Sequence, residues 1–300
     1  MAKRIFKVGL VILLVVFIAG EIIGRVLGLR NLSLYRADED YEYIAKPNQD
    51  LRIYGNKFVT NAFSMRSGPV SDNDSCTILL IGDSIIYGGH SIDQDSLATA
   101  RLERALRARF KQPVKILNIS AQSWGPDNGA AYLKKHGLFN AKMIILVYSS
   151  HDAYDVIDFK TEVGAPPYYT SNHLLAWQTI IDKAWPPIKK KIFGASPTPT
   201  LSNTAFNPGF DFFDSLANKE GIPVALYLHC EKGEIKRGLY DQGGQQIKQF
   251  CENARIPLYE GLAVEKESFY DDYIHFNNEG QAAMAKVLYD IAEKRFPATK

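Results

Sequence analysis

Residues 77–84 read TILLIGDS. The first six are apolar up to a glycine, with no polar alternation. A run of that length and character suits a strand buried on both faces, as in a parallel sheet covered by helices. Working outward, Leu97–Phe110 carries Leu102, Leu106 and Phe110 at i, i+4 spacing and predicts an amphipathic helix. Val114–Ile119 is the next strand, Asn128–Gly137 the next helix and Met143–Tyr148 (MIILVY) the third strand. After a break, a helix near Asp211–Lys219, a strand at Pro223–Leu228, a helix at Gln245–Ala254 and a short strand at Pro257–Tyr259 follow. A last helix starts near Asn278, with Met284, Val287, Leu288 and Ile291 on one face. Strands alternating with helices predict an α/β fold with a mostly parallel, five-stranded sheet. No internal repeat is visible.

The break covers residues 153–205, where Pro166-Pro167, Trp185-Pro186-Pro187, Pro197 and Pro199 stand among many aromatics. Without a sustained period it reads as an insertion, and long irregular insertions are often lids or binding loops. Upstream, residues 31–75 are polar and aromatic with short alternating stretches at Leu51–Tyr54 and Phe58–Asn61. They read as a small β-rich collar. The expected division is therefore an anchor at 1–30, a collar at 31–75 and a main domain at 76–300.

The N-terminus carries Lys3, Arg4 and Lys7 ahead of the uncharged Val8–Gly20 (VGLVILLVVFIAG). Apolar character resumes after Glu21 through Ile22, Ile23, Val26 and Leu27, giving a stretch long enough to cross a bilayer. A signal peptide is the other reading. Cleavage after Ala19 or Gly20 would place Phe17 or Ile18 at the −3 position, which wants a small residue, so an uncleaved anchor is favoured. The basic flank predicts a cytoplasmic N-terminus and an outward-facing domain. Glu21 and Arg25, four apart, can pair.

The chain has 300 residues, 46% hydrophobic and 23% charged, which excludes a largely disordered chain and a multi-span membrane protein. Its net charge is +2, but residues 1–30 hold +4 and the rest is left at −2. A near-neutral body gives no electrostatic reason to bind nucleic acid. Cys76, Cys230 and Cys251 are too few and scattered for a disulfide scaffold or zinc site, though a Cys230–Cys251 bridge stays open. His90, His136, His173 and His229 lack metal-ligand spacing, and no metal or cofactor is expected. Gly88-Gly89 lacks the residues of a phosphate loop. Lys189-Lys190-Lys191 reads as a solvated face or a patch for an acidic glycan or anionic lipid. Tyr168, Tyr169, Trp177 and Trp185 are equally suited to stacking on sugar rings and to packing on their own domain.

Two short segments carry chemistry. Asp83-Ser84 follows the first buried strand, and ligand sites in open parallel sheets lie beyond the carboxyl ends of strands. A hydroxyl nucleophile needs a base. Late in the chain Asp272-Tyr273-Ile274-His275 precedes the last helix. The histidine can serve as base, and the carboxylate three residues before it can orient the ring.

In this order and strand context the segments resemble those of the SGNH (GDSL-type) hydrolase family. The resemblance covers about residues 76–295 and implies a flavodoxin-like three-layer sandwich. It implies Ser84 as nucleophile, His275 as base and Asp272 as orienting acid. Two middle blocks depart from the family pattern. Asn118 to Gly125 puts Ser123 in the slot of a glycine whose N–H joins the oxyanion hole. Ser149-Ser150-His151-Asp152 puts His151 where the family has an asparagine donor. The expected oxyanion hole is then the N–H groups of Ser84 and Ser123 with His151, because an imidazole keeps a donor in place. The segments around Trp124 and His151, with collar pieces such as Lys46-Pro47-Asn48 and Met65-Arg66-Ser67, look like a membrane-anchored bacterial branch associated with exported polysaccharides. That likeness implies a single-pass inner-membrane protein whose catalytic domain faces the periplasm. It implies an esterase removing O-acyl, above all O-acetyl, groups from an acylated glycan, with other polysaccharide-export proteins as candidate partners. Two rivals remain: an O-acetyltransferase using the same residues, and a non-catalytic glycan-binding or assembly subunit.

Overall fold

A computed structural model of the chain describes residues 2–71, 74, 76–111, 113–161, 163–193 and 205–296. Its centre is a sheet of β5 (Thr77–Gly82), β6 (Lys115–Ser120), β7 (Ala141–Tyr148), β8 (Val224–Leu228) and β9 (Leu258–Glu260). The spatial order is β6-β5-β7-β8-β9, and every neighbouring pair is parallel. Counted along the chain this is the flavodoxin-like order, which reverses direction between β5 and β7. A crevice opens at such a reversal beyond the strand ends.

The lack of polar alternation in TILLIG has its cause in this arrangement, since all six residues are buried. Leu79 and Ile81 face a core shared with α4 (Pro126–His136), α6 (Gly209–Asn218) and α8 (Gln242–Asn253). Ile78 and Leu80 face a second core with α3 (Ala98–Phe110) and α9 (Asn278–Arg295). Helices on both faces make three layers, as expected. Strand and helix positions agree with the sequence reading to within a few residues. A helix or turn was expected to start at Ser84 and is the one-turn α2 (Ser84–Tyr87), whereas the short α7 (Lys232–Arg237) was not foreseen.

The collar consists of two antiparallel hairpins, β1 (Tyr35–Asp38) with β2 (Glu42–Ala45) and β3 (Asp50–Ile53) with β4 (Asn56–Val59). Tyr35, Tyr41, Tyr43, Ile53 and Phe58 are buried in the same core as Leu79 and Ile81. Trp124 Nε1 donates to the Tyr43 carbonyl at 2.9 Å. Arg66 is 2% exposed, so its charge must be paired or hydrogen-bonded to be tolerated. Its guanidinium donates to the carbonyls of Tyr87 (2.6 Å) and Gly89 (2.8 Å) and to Gln94 Oε1 (3.1 Å). It also lies 4.5 Å from the Phe58 ring centroid. The collar thus pins the segment that follows α2.

The insertion differs from expectation in two ways. Residues expected to be irregular include an 18-residue helix, α5 (Ala176–Phe193). The consecutive Pro186-Pro187 lie within it, which is why the sequence read as broken. The insertion also does not close over Ser84: among the described residues it packs on the collar and the N-terminal helix. Tyr168 packs 4.5 Å from Tyr43 and Trp177 5.7 Å from Phe17, as ring centroids, while Tyr169 lies 5.5 Å from His173 of the insertion itself. Residues 194–204, including Pro197 and Pro199, lie outside the described set.

The N-terminal helix α1 (Ala2–Val26) is long and apolar enough to cross a membrane, with a mean hydropathy of 2.5 in its apolar window. A signal sequence shares that length and composition. Cys76, Cys230 and Cys251 are all buried, and Cys230 and Cys251 are not bridged to each other.

Candidate active site

Ser84 opens α2 directly after β5, at the crevice between β5 and β7. The turn is tight for a local reason. A Cβ on Gly82 would lie 2.3 Å from the Val147 carbonyl oxygen, so only glycine lets β5 run this close to β7. Asp83 Oδ1 accepts the Ile85 N–H at 2.9 Å and caps the turn. Gly88 ends it in the left-handed region at φ +72°.

The structure brings Ser84, His275 and Asp272 together. Ser84 Oγ lies 2.9 Å from His275 Nε2, and His275 Nδ1 lies 2.7 Å from Asp272 Oδ2. An ionised carboxylate only accepts, so Nδ1 carries the proton and Nε2 accepts from the Ser84 hydroxyl. Asp272 is held in turn. Its Oδ1 accepts the N–H groups of Ile274 (2.8 Å) and His275 (2.7 Å). Burial works against its charge, but the bonds from His275 and these N–H groups hold its carboxyl below the usual range.

Two cavities meet at this serine. One of about 200 Å³ is lined by Ser84, Gln122, Ser123, His151, Tyr273 and His275. The other, about 220 Å³, is lined by Ser84, Ser91, Gln122, Asp271, His275 and Gln281 among others. Thus Ser123 and His151 share one cavity with Ser84. Ser123 has φ +54°, the left-handed conformation a glycine would take without cost. The serine keeps that backbone and therefore its N–H direction.

His151 sits in a charged cluster. Its Nε2 is 3.5 Å from Asp152 Oδ1 and 3.8 Å from Asp83 Oδ2, and its Nδ1 is 3.6 Å from Glu231 Oε1. Ser149 Oγ is 3.2 Å from Nδ1, while Nε2 makes no hydrogen bond among the described residues. Burial opposes the imidazolium, but Asp152, then Glu231 and Asp83, outweigh it and push His151 up to about 10. Burial and the neighbouring Asp152 carboxylate push Asp83 upward. The cluster therefore holds a cation in the cavity that Ser84 lines, with Nε2 turned toward Asp152 and Asp83. Asp83, His151 and Asp152 are also the only residues among those described whose ligand-type atoms converge as a metal set would, within 4.8 Å. Their distances are those of an imidazolium between two carboxylates.

One functional pair escaped the sequence reading. His229 is buried just past the end of β8, with Nε2 2.8 Å from the Ile274 carbonyl and Nδ1 2.9 Å from Glu265 Oε1. Both partners are acceptors, so the ring donates at both nitrogens and is an imidazolium. Burial opposes this, and Glu265 raises His229 above its ordinary value. Glu265 also accepts from the Tyr227 and Tyr270 hydroxyls and from Cys230 N–H (3.1 Å). The pair thus clamps the loop that carries Asp272 and His275. Its one sequence signal was position: a histidine past a strand's carboxyl end, where sites form. His90 and His136 are structural, at 2.6 Å from Ser33 Oγ and 3.2 Å from the Tyr41 hydroxyl. His173 pairs with Asp182 at 3.1 Å.

No family model and no curated relative match the chain. Among solved structures, a lipase/acylhydrolase from Enterococcus faecalis is similar over 75% of this chain and 100% of its own, at 12% identity and a TM-score of 0.45. A two-domain esterase active on acetylated mannans is similar over 73% of this chain and 49% of its own, at 14% identity and 0.46. A carbohydrate acetylesterase from Sinorhizobium meliloti is similar over 73% and 99%, at 11% identity and 0.40.

Proposed function

We propose that the protein is a serine esterase acting through an acyl-Ser84 intermediate. The observation that carries this is the relay from Asp272 through His275 to Ser84 Oγ, with bonds of 2.7 and 2.9 Å, at the crevice of a parallel sheet. Ser84 Oγ attacks an ester carbonyl while His275 Nε2 takes its proton. The oxyanion draws on the N–H groups of Ser84 and Ser123 and on His151. As the carbon–oxygen bond to the alcohol breaks, His275 returns the proton to the leaving oxygen. Water, deprotonated by His275, then frees the acid.

Two observations favour a small acyl group on a polyhydroxy alcohol. Each cavity is small, at about 200 and 220 Å³, and Ser91, Gln122 and Asp271 offer hydrogen bonds rather than an apolar tube. The substrate we infer is an O-acetylated glycan outside the cytoplasm, with α1 as a single-pass anchor and the N-terminus inside. The convergence of two cavities on Ser84 leaves room for an acceptor sugar, which supports O-acetyl transfer as the second reading.

Full-length protein in detergent, given 4-nitrophenyl acetate with and without an oligosaccharide acceptor, tests this. Turnover should vanish in Ser84→Ala. Free acetate as the main product supports the esterase, and acetylated sugar the transferase. Turnover equal in the wild type and Ser84→Ala overturns both readings and leaves a glycan-binding subunit.

A further inference from the structure

The contact between α1 and α5 is built from specific pairs. Ala176 N–H, in the first turn of α5, donates to the Glu21 carboxylate at 2.9 Å, and Glu21 pairs with Arg25 at 2.6 Å. Trp177 Nε1 donates to the Phe17 carbonyl at 3.0 Å, and its ring stacks on Phe17. A Cβ on Gly20 would run into the Trp177 ring and one on Gly24 into Ala176 Cβ, so both glycines let the helices approach. A leader to be discarded has no use for such fitted contacts with the mature chain.

The rest of α5 has two faces. Thr179 bonds the Leu29 carbonyl and Lys183 lies 3.6 Å from the Tyr54 ring centroid, so that side is fastened to the base of the collar. The opposite side presents Ile180, Ile181 and Trp185 to the exterior, with Ile181 60% and Trp185 53% exposed. Between the helices runs an apolar groove of about 470 Å³, lined by Leu10, Leu13, Leu14, Phe17, Trp177 and Ile181. The surface is continuous with α1, whose own apolar side chains are unburied. Glu21 and Arg25 mark where α1 leaves hydrocarbon. Phe17 lies four residues below Glu21, about 6 Å of helix rise, which puts Trp177 at the interface where tryptophan concentrates.

We propose that α5 is a second membrane-binding element. Its outer face, Trp177, Ile180, Ile181 and Trp185, lies in the outer interface of the bilayer that α1 crosses, and a lipid acyl chain fills the groove between the two helices. The domain is then held at a fixed height and tilt by two non-collinear helices rather than swinging on one. The proposal rests on α1 being retained and is independent of the esterase reading.

The sequence has three tryptophans, and Trp124 is fully buried. Full-length Trp177→Phe, reconstituted in 3:1 phosphatidylethanolamine–phosphatidylglycerol vesicles, therefore reports on Trp185 above a constant background. Trp177→Phe/Trp185→Phe supplies that background. Replacing part of the lipid with 6,7-dibromo-phosphatidylcholine should at least halve the Trp185 emission, and acrylamide should have little effect. Ile180→Glu/Ile181→Glu, at exposed positions, should abolish the bromine quenching without altering 4-nitrophenyl acetate turnover. Emission insensitive to bromine and quenched by acrylamide would put α5 in water. Emission shielded from both would mean that a protein surface covers it. Either result overturns the proposal.

Discussion

The proposed esterase reading uses His151 in place of an amide donor to the oxyanion, and that choice makes distinct predictions. Removing one donor from such a hole costs about 3–4 kcal/mol of transition-state stabilisation. His151→Ala should therefore lower kcat by about 10²-fold or more with little change in KM, whereas His151→Asn restores a donor and most of the rate. The charge adds a pH signature. A histidine raised to about 10 stays protonated through neutral pH and loses its proton only as pH climbs through that value. Its contribution to stability has the same sign: complete below its unfolded value near 6.5, and lost as pH rises through about 10. Wild-type kcat should fall on that alkaline limb, and His151→Asn should lack it. Ser123→Gly is the contrasting case. Glycine accepts φ +54° without strain and leaves the N–H in place, so kcat should hold within about twofold. Ser84, His275 and Asp272 were legible because their chemistry needs those residue types near strand and helix ends. The charge of His151 was not, since it depends on Asp152, Asp83 and Glu231, whose distances only folding sets.

At the scale of elements, the loop from Tyr270 to Phe276 depends on groups distant in sequence. Tyr270 and Phe276 bridge its ends, while His229 and Glu265 hold its middle through the Ile274 carbonyl. Both side chains of that pair are almost wholly buried. Breaking a buried pair by removing one partner's charge costs about 3–5 kcal/mol. Glu265→Gln should lower the thermal midpoint measurably, and its residual folded fraction should turn over more slowly as His275 loses its fixed position. An unchanged midpoint and rate would show that the loop holds itself. The pair was invisible in the sequence because 36 positions and three elements, α7, α8 and β9, separate its members. Strands and helices were legible for the opposite reason: TILLIG and MIILVY answer to a sheet buried on both sides, a condition local to each run. The helix α5 was obscured by Pro186-Pro187, and its apolar outer face at Ile181 and Trp185 is exposed among the described residues.

Across the whole molecule, collar, insertion and N-terminal helix form the base on which the central sheet and Ser84 stand. The collar's tyrosines share the core of the sheet, and buried Arg66 ties the collar to the end of α2. Among the described residues the insertion strengthens that base, and none of its residues lines either cavity at the serine. A sequence boundary at residue 75 separates segments that the core unites. Everything in this account converges on Ser84 being an activated nucleophile. The most direct measurement is covalent labelling of the full-length protein with a fluorophosphonate, read by peptide mapping. The account predicts one adduct, on Ser84, formed much more slowly in His275→Ala and absent in Ser84→Ala. Failure of the wild type to form an adduct, or an adduct on another residue, would contradict it.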